Sequence, residues 1–356
     1  LLFAAPTASG KTEAAIAPLF QRHISFRRDH TSVLYIAPTK ALVNDLFGRL
    51  KDYLGTRNSE AVRRYTGDHH EFSSPLGGFC LLTTPEALDS LQLMRPESLA
   101  WIRAIVVDEI HLLHGTARGQ QLRHVIDRVA NNTNKPKSSS DKFQLVGMTA
   151  TIDCMDEVRS KWLGTESTMV SHGESREIDM SFLSVLPLRS KELPLNQANA
   201  LSEWLESNGH SKVLVFCNSR NYAHSLAAAL SQSLNGTRWP VHLHIGVLSA
   251  TERERVESAM QNEQFGVCVA TSTLEIGIDI GNIDVVVLAE PPSTVSAFLQ
   301  RIGRGNRRSG RCRVLAFRSS PENESIFNAL LECARSGNFD EVHEYERPSE
   351  IGRAHV

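Results

Sequence analysis

Two short clusters in the first third of the chain carry the residue types that handle phosphate. Ala5-Pro6-Thr7-Ala8-Ser9-Gly10-Lys11-Thr12 follows an apolar strand and opens a helix, the setting a phosphate-binding loop requires. There the backbone N–H groups of Thr7, Ala8, Ser9 and Gly10 and the helix N-terminus suit the β- and γ-phosphates of a nucleotide. Lys11 neutralises them, and the Thr12 hydroxyl suits Mg²⁺. The first position of the G-x-x-x-x-G-K-[ST] pattern holds Ala5 instead of glycine. Taken alone, this motif also reads as a chance Gly-Lys-Thr at a helix start.

Ile105-Val106-Val107-Asp108-Glu109 supplies the second half: an apolar strand that ends in two carboxylates. An acid at the carboxyl end of a parallel strand lies in the crevice where α/β sheets bind ligands. Asp108 then holds Mg²⁺ from outside its inner ring of ligands, and Glu109 orients and polarises the attacking water. The plainer reading of an Asp-Glu pair at a strand end is a helix N-cap, and the phosphate loop tips the balance away from it. Phosphoryl transfer asks a protein mostly for positioning and charge neutralisation, which Lys11, Thr12, Asp108 and Glu109 provide.

These residues need strands to place them, and short β-rich runs alternate with longer amphipathic stretches throughout. Strands are expected at Leu1 to Ala5, Val33 to Ala37, Phe79 to Thr83, Ala104 to Val107 and Leu145 to Met148. A second set follows at Val213 to Cys217, Val241 to His244, Val267 to Ala270, Val285 to Ala289 and Arg313 to Phe317. Runs such as Ile105-Val106-Val107 and Val285-Val286-Val287 suit strands covered by helices on both faces. The pattern predicts two doubly wound parallel-sheet α/β domains. The polar, glycine-containing stretch Leu163 to Arg176 holds the expected boundary, giving domains 1–172 and 173–356. Asn131 to Lys142 reads as a low-complexity loop within the first.

The 356 residues exceed the size at which one core stops growing. Apolar and charged fractions of 41% and 22% exclude collagen-like, disordered and coiled-coil chains. A formal net charge of −2 means that affinity for a polyanion has to come from a local groove. No apolar run reaches the ~18 residues of a membrane span. Six cysteines without a C-x-x-C pair read as reduced, mostly buried thiols of a cytoplasmic protein. His69-His70-Glu71 is set aside as a metal cluster, because adjacent side chains cannot form an i,i+4 ligand pair. His242 and His244 fall on one face of a strand. The chain opens on a strand entering the phosphate loop, so an N-terminal part of the first domain is expected to be missing.

With Asp108-Glu109-Ile110-His111 the sequence resembles the core of a superfamily 2 helicase of the DExH type, and further blocks fall in that family's order. Pro38-Thr39-Lys40-Ala41-Leu42 resembles motif Ia, Thr66-Gly67 the short glycine motif, Thr84-Pro85-Glu86 motif Ib and Thr149-Ala150-Thr151 motif III. Val215 to Arg220 resembles motif IV, Ala270 to Asp279 motif V, and Gln300-Arg301-Ile302-Gly303-Arg304-Gly305-Asn306-Arg307-Arg308 motif VI. Within the superfamily the likeness is to Lhr-like (large helicase-related) enzymes. It is carried by His111-Leu112, Gly115-Thr116-Ala117-Arg118-Gly119, His244 to Ser249 and a motif VI that opens with Gln.

The resemblance implies two tandem RecA-like domains, with ATP and Mg²⁺ as cofactors and an interdomain cleft whose hydrolysis drives movement along one strand, 3′ to 5′. It assigns Arg304 and Arg307, with Arg301 as neighbour, to the charge that builds on the γ-phosphoryl group, and Gly277 and Asp279 to nucleotide contact. Arg-x-x-Gly-Arg also reads as a solvated helix start. Nucleic-acid contacts fall to Pro38, Thr39, Lys40, Thr66, Gly67, Thr84, Pro85, Asn218, Ser219, Arg220, His244, Ser249 and Thr271, groups that reach phosphate and sugar rather than base edges. Standing alone, a Thr-Pro turn also reads as a strand–helix connection. Coupling falls to His111, Thr149, Thr151 and Gln300; Thr149 and Thr151 also read as a helix cap. The implied partner is DNA or RNA, with DNA favoured, no membrane, and further domains or subunits beyond this chain. Rival readings are an ATPase that remodels protein–nucleic acid complexes without separating strands, and a nucleotide-gated binding module for a fused nuclease.

Overall fold

The computed structural model describes residues 1–5, 10–23, 30–54, 61–69, 78–132, 143–149, 155–171, 177–185, 192–275, 280–305 and 311–337. The chain divides into two compact units, one formed from residues 1–173 and the other from residues 174–340.

The first unit is built on a seven-stranded, wholly parallel sheet of β1 (Leu2–Ala4), β2 (Val33–Ile36), β3 (Val62–Tyr65), β4 (Cys80–Thr83), β5 (Ala104–Val107), β6 (Gln144–Thr149) and β7 (Met169–Ser171). Their order is β3-β4-β2-β5-β6-β1-β7. Helices α1 (Lys11–His23), α2 (Lys40–Leu54), α3 (Pro85–Met94), α4 (Ala117–Asn132) and α5 (Met155–Leu163) make the connections. Every residue of β2, β4 and β5 is buried, as the continuous apolar runs require of strands covered on both faces.

The second unit has a six-stranded parallel sheet of β8 (Glu177–Ser184), β9 (Lys212–Phe216), β10 (Val241–His244), β11 (Gly266–Ala270), β12 (Val285–Leu288) and β13 (Arg311–Arg318), in the order β10-β11-β9-β12-β13-β8. Helices α6 (Leu193–Asn208), α7 (Arg220–Ser233), α8 (Ala250–Asn262), α9 (Val295–Ile302) and α10 (Pro321–Ser336) complete it. Its core gathers Val213, Val215, Val267, Val269, Val285 and Val287 from the strands with Leu201, Leu226 and Leu230 from α6 and α7.

Three strands depart from the expectation. β3 carries two arginines, yet it pairs along its whole length with β4, and Arg64 lies over the Phe47 ring and donates to Asn44. β8 alternates acidic or serine residues outward with Ile178, Met180 and Phe182 inward, the pattern of a half-buried edge strand. β7 falls within the stretch that holds the expected domain boundary and pairs with β1. Asn131 and Asn132, assigned to a loop, close α4 instead. The rest of that loop, together with His70 and Glu71, lies outside the described residues.

Parallel pairing puts every strand's carboxyl end on one rim of its sheet. In the first unit Ala5 follows β1, Pro38 to Lys40 follow β2, Thr84 and Pro85 follow β4, and Asp108 and Glu109 follow β5. Asn218 to Arg220 after β9 and Thr271 after β11 share the matching rim of the second sheet.

Candidate nucleotide and nucleic-acid sites

Lys11 is the first residue of α1, and its ammonium donates to Ala5 O at 2.7 Å, across the loop that precedes the helix. Thr12, on the same turn, reaches the hydroxyl of Tyr35. Tyr35 is fully buried in β2, and a buried phenol needs a hydrogen-bond partner. It donates to Asp108 Oδ2 at 2.6 Å, while the Glu109 N–H donates to Asp108 Oδ1 at 2.8 Å. Burial and then the adjacent Glu109 charge push the Asp108 carboxyl well above the usual carboxylate range; the Tyr35 hydrogen bond and the Lys11 charge pull the other way.

Glu109 is only 8% exposed and adopts φ 45°, ψ 49°, the one left-handed backbone outside glycine among the described residues. A long side chain held there stores about 1–3 kcal/mol of strain. Its Oε2 has no hydrogen-bond partner and lies 3.5 Å from His111 Nδ1. Burial, helped by the Lys11 charge, lowers the His111 pKa, so the ring is neutral at pH 7; Glu109 opposes that shift. The same Nδ1 is 3.4 Å from Thr149 Oγ1, which brings the acid loop against the end of β6. Gly147 makes this possible, since a Cβ there would lie 2.6 Å from Ile110 Cδ1.

On the same rim, Thr39 Oγ1 accepts from the Leu42 N–H at 3.3 Å and Thr84 Oγ1 from the Ala87 N–H at 3.4 Å; each caps the start of its helix, α2 or α3. Lys40 is half exposed and pairs with Asp68 at 2.8 Å, beside Gly67. Thr66 is fully buried and closes the turn that holds Gly67, accepting from the His69 N–H at 3.2 Å. Pro38 and Pro85 are buried as well, so these segments offer backbone and a few side chains to a ligand.

In the second unit Ser219 caps α7 through the Tyr222 N–H, and Ser249 forms a capping box with Glu252 at the start of α8. Asn218 and Arg220 are exposed; Thr271 is buried at the end of β11. His244, expected to touch nucleic acid, is fully buried: Nε2 lies 2.9 Å from Glu257 Oε1 and Nδ1 2.9 Å from Thr273 Oγ1. Both ring nitrogens are thus engaged inside the unit, one of them by a motif V side chain.

Arg301, expected only as a neighbour of Arg304 and Arg307, is tied into its own unit. It is 5% exposed, with Nε donating to Glu275 Oε1 at 2.7 Å and Nη1 to Asn218 Oδ1 at 2.8 Å. Glu290 Oε2 takes the Asn218 N–H at 3.0 Å, so one guanidinium joins motifs IV, V and VI. Arg304, 1% exposed, donates from Nη2 to Glu275 O at 2.8 Å. Gln300 lies half-buried on α9. Thr7, Ala8, Ser9, Thr151, Gly277, Asp279 and Arg307 lie outside the described residues.

Sequence reading missed Tyr35 and the Glu275 and Glu290 partners. A tyrosine inside an otherwise aliphatic parallel strand was the available signal for the first, since its hydroxyl demands a partner.

The donor set is one of hard oxygens, the Thr12 hydroxyl and a buried carboxylate in need of compensating charge, which is the chemistry that suits Mg²⁺. Among the described residues no helix is long and apolar enough to cross a membrane.

The DEAD/DEAH box helicase family model matches residues 1–158, and that of the helicase conserved C-terminal domain matches residues 196–309. The ATP-dependent helicase Lhr-Core of Methanocaldococcus jannaschii is 30% identical, over 96% of this chain and 43% of its own length. The Lhr helicase/uracil glycosylase of Escherichia coli is 25% identical, over 98% of this chain and 27% of its own. Among solved structures, the Mycobacterium smegmatis helicase Lhr bound to ssDNA and AMP-PNP aligns with a TM-score of 0.84 at 27% identity, covering 99% of this chain and 48% of that one. S. cerevisiae Dbp5 bound to RNA and ADP BeF3, at 19% identity and a TM-score of 0.72 over 99% of this chain and 88% of that one, shares the fold. The chain spans less than half the length of the Lhr relatives it matches.

Proposed function

From the premise that this chain belongs to the superfamily 2 helicases of the DEAD/DEAH box type, in likeness to the Lhr group, we propose that it is the core of an ATP-dependent nucleic-acid helicase or translocase. The observation that carries the reading is Glu109: a buried carboxylate on strained backbone, one oxygen without a hydrogen-bond partner, beside a metal-type acid at the end of a parallel strand. Such a group is arranged to take the proton of a water aimed at a γ-phosphoryl group. Asp108 and Thr12 would hold Mg²⁺, which when bound would neutralise the phosphate oxygens. Lys11 leaves Ala5 O for the phosphates, and Tyr35 keeps the Asp108 carboxylate oriented. Arg304 and Arg307 of the second unit supply the remaining positive charge. A catalytic set shared by two units links nucleotide state to their arrangement, which is what stepping along a strand needs.

The strand follows Thr39, Lys40 and Thr84 in the first unit and Ser219, Arg220 and Ser249 in the second. The solved Lhr relative that binds ssDNA favours DNA, and movement 3′ to 5′ accords with the family. Four buried cysteines, all free thiols, suit a reducing cytoplasmic setting.

The test is ATP hydrolysis measured with and without single-stranded DNA and RNA, for the wild-type chain and Lys11→Ala. Strand-stimulated turnover that Lys11→Ala abolishes is expected. Turnover at the wild-type rate in Lys11→Ala, or rates indifferent to every strand, would remove the assignment. A strand-displacement assay then separates unwinding from the remodelling of bound proteins.

A further inference from the structure

The segment Gly115-Thr116-Ala117-Arg118-Gly119 has no task in the chemistry above. Arg118 is the second residue of α4. Its Nε and Nη2 grip both carboxylate oxygens of Glu86, the second contact at 2.9 Å, and Nη2 also donates to Pro38 O at 2.6 Å. Glu86 stands in the first turn of α3, directly after Thr84 and Pro85. Pro38 directly precedes Thr39 and Lys40 at the start of α2. One planar guanidinium thus ties together two helix starts whose capping residues were assigned to one nucleic-acid strand.

The arginine is itself anchored. Thr116 Oγ1 accepts from the Gly119 N–H at 3.0 Å and donates to Leu113 O at 2.7 Å. Gly119 packs so tightly that a Cβ would lie 1.9 Å from that same carbonyl. Leu113 closes the short helical turn that follows Glu109, so the fork is fixed to the acid loop and not to a mobile arm. The Glu86 carboxyl is held below the usual range: partial burial pushes it up, but the Arg118 hydrogen bonds and charge, with the backbone N–H at the helix start, outweigh that.

Resting on the nucleic-acid reading above, we propose that Arg118 is a positioning residue: paired with Glu86 and Pro38 O, it sets the spacing between the starts of α2 and α3, so that both meet phosphates of the same strand. It acts through its two partners and not as a phosphate ligand. A lysine carries the same charge without the two-pronged geometry, which makes the distinction measurable.

The experiment is fluorescence anisotropy of a labelled oligo-dT across a salt series, together with strand-stimulated ATPase, for wild type, Arg118→Lys, Arg118→Ala, Glu86→Gln and the reversal Arg118→Glu with Glu86→Arg. Arg118→Lys and Glu86→Gln are each expected to weaken binding about tenfold, the size of a lost charge-assisted hydrogen bond. The strand concentration for half-stimulation should rise accordingly, while turnover at saturating strand changes far less. Arg118→Ala should leave the salt dependence of affinity as in wild type, and the reversal should recover part of the loss. A direct phosphate contact gives the opposite pattern: Glu86→Gln binds as tightly as wild type or tighter, and Arg118→Ala lowers the salt slope by about one. Either result overturns the proposal. Should the alanine variant fold poorly, the near-isosteric Glu86→Gln decides alone. A wild-type chain that binds no strand removes the nucleic-acid reading itself, and the proposal with it.

Discussion

Glu109 in the first unit and Arg301 in the second are both ionisable, both more than nine-tenths buried and both the second residue of their motif, yet they are held in opposite ways. The glutamate sits on left-handed backbone with one carboxylate oxygen unclaimed. The arginine lies on ordinary helix with its Nε and Nη1 taken by Glu275 and Asn218 and the Phe216 ring under its guanidinium at 5.5 Å. A group that is to act on an incoming ligand has to keep hydrogen-bonding capacity unused until the ligand arrives, at a cost in stability. A group that fixes other motifs spends it on them. Removing the first should therefore cost activity and leave the fold alone, and removing the second should cost the fold.

The largest effect is expected for Glu109→Gln, which keeps the shape and loses the base. Strand-stimulated phosphate release should fall by about 10²- to 10⁴-fold, while nucleotide still binds. Retention of more than a tenth of wild-type turnover would place the base elsewhere. Next, Arg301→Met strands the Glu275 carboxylate, whose side chain is 11% exposed. Losing one partner of a buried ion pair destabilises by about 3–5 kcal/mol, so hydrogen exchange in β9 and β11 should accelerate while β2 and β5 keep their protection. A loss below about 1 kcal/mol on this scale would mean the pair is not what joins motifs IV, V and VI.

Tyr35→Phe tests the boundary between the two kinds of residue, because Tyr35 is saturated but serves an acid that must stay available. Its hydroxyl favours the charged form of Asp108, so without it the carboxyl rises further and a larger share is protonated at any given pH. The acid limb of the pH–rate profile should move to higher pH. Turnover at pH 6 should drop about tenfold, with a smaller loss at pH 8. An equal loss at both would indicate a packing defect instead.

The contrast also explains what sequence could and could not announce. Buried parallel strands declare themselves through uninterrupted Val and Ile runs, and so β5, β9 and β12 lie within two residues of where composition places them. Of the four edge strands only β10 does: β8 alternates with acids, β3 holds arginines, and β7 has three residues in a polar stretch. For these, pairing with a neighbour decides what local preference leaves open. In the sites, Lys11, Asp108 and Glu109 stand out from sequence alone because phosphate chemistry asks for both a residue type and a spacing. Arg118, Arg301 and His244 have partners 13 to 83 positions away in the chain, which only the folded sheet and its helices bring together.

The smallest effect runs against intuition and is the sharpest check on the comparison. Asparagine tolerates left-handed backbone better than glutamate does and carries no charge to bury. Glu109→Asn therefore relieves part of the strain at φ 45° and removes a carboxylate oxygen that lacks a partner, while losing only the 3.5 Å approach to a neutral His111. The first unit should gain about 1 kcal/mol, at the low end of what such strain stores, and its melting point should rise by a few degrees. Turnover should be lost in the same protein. A variant that is both inactive and less stable than wild type would show that Glu109 is a structural acid like Glu275, and the distinction between held-in-reserve and saturated charges would not separate the two units.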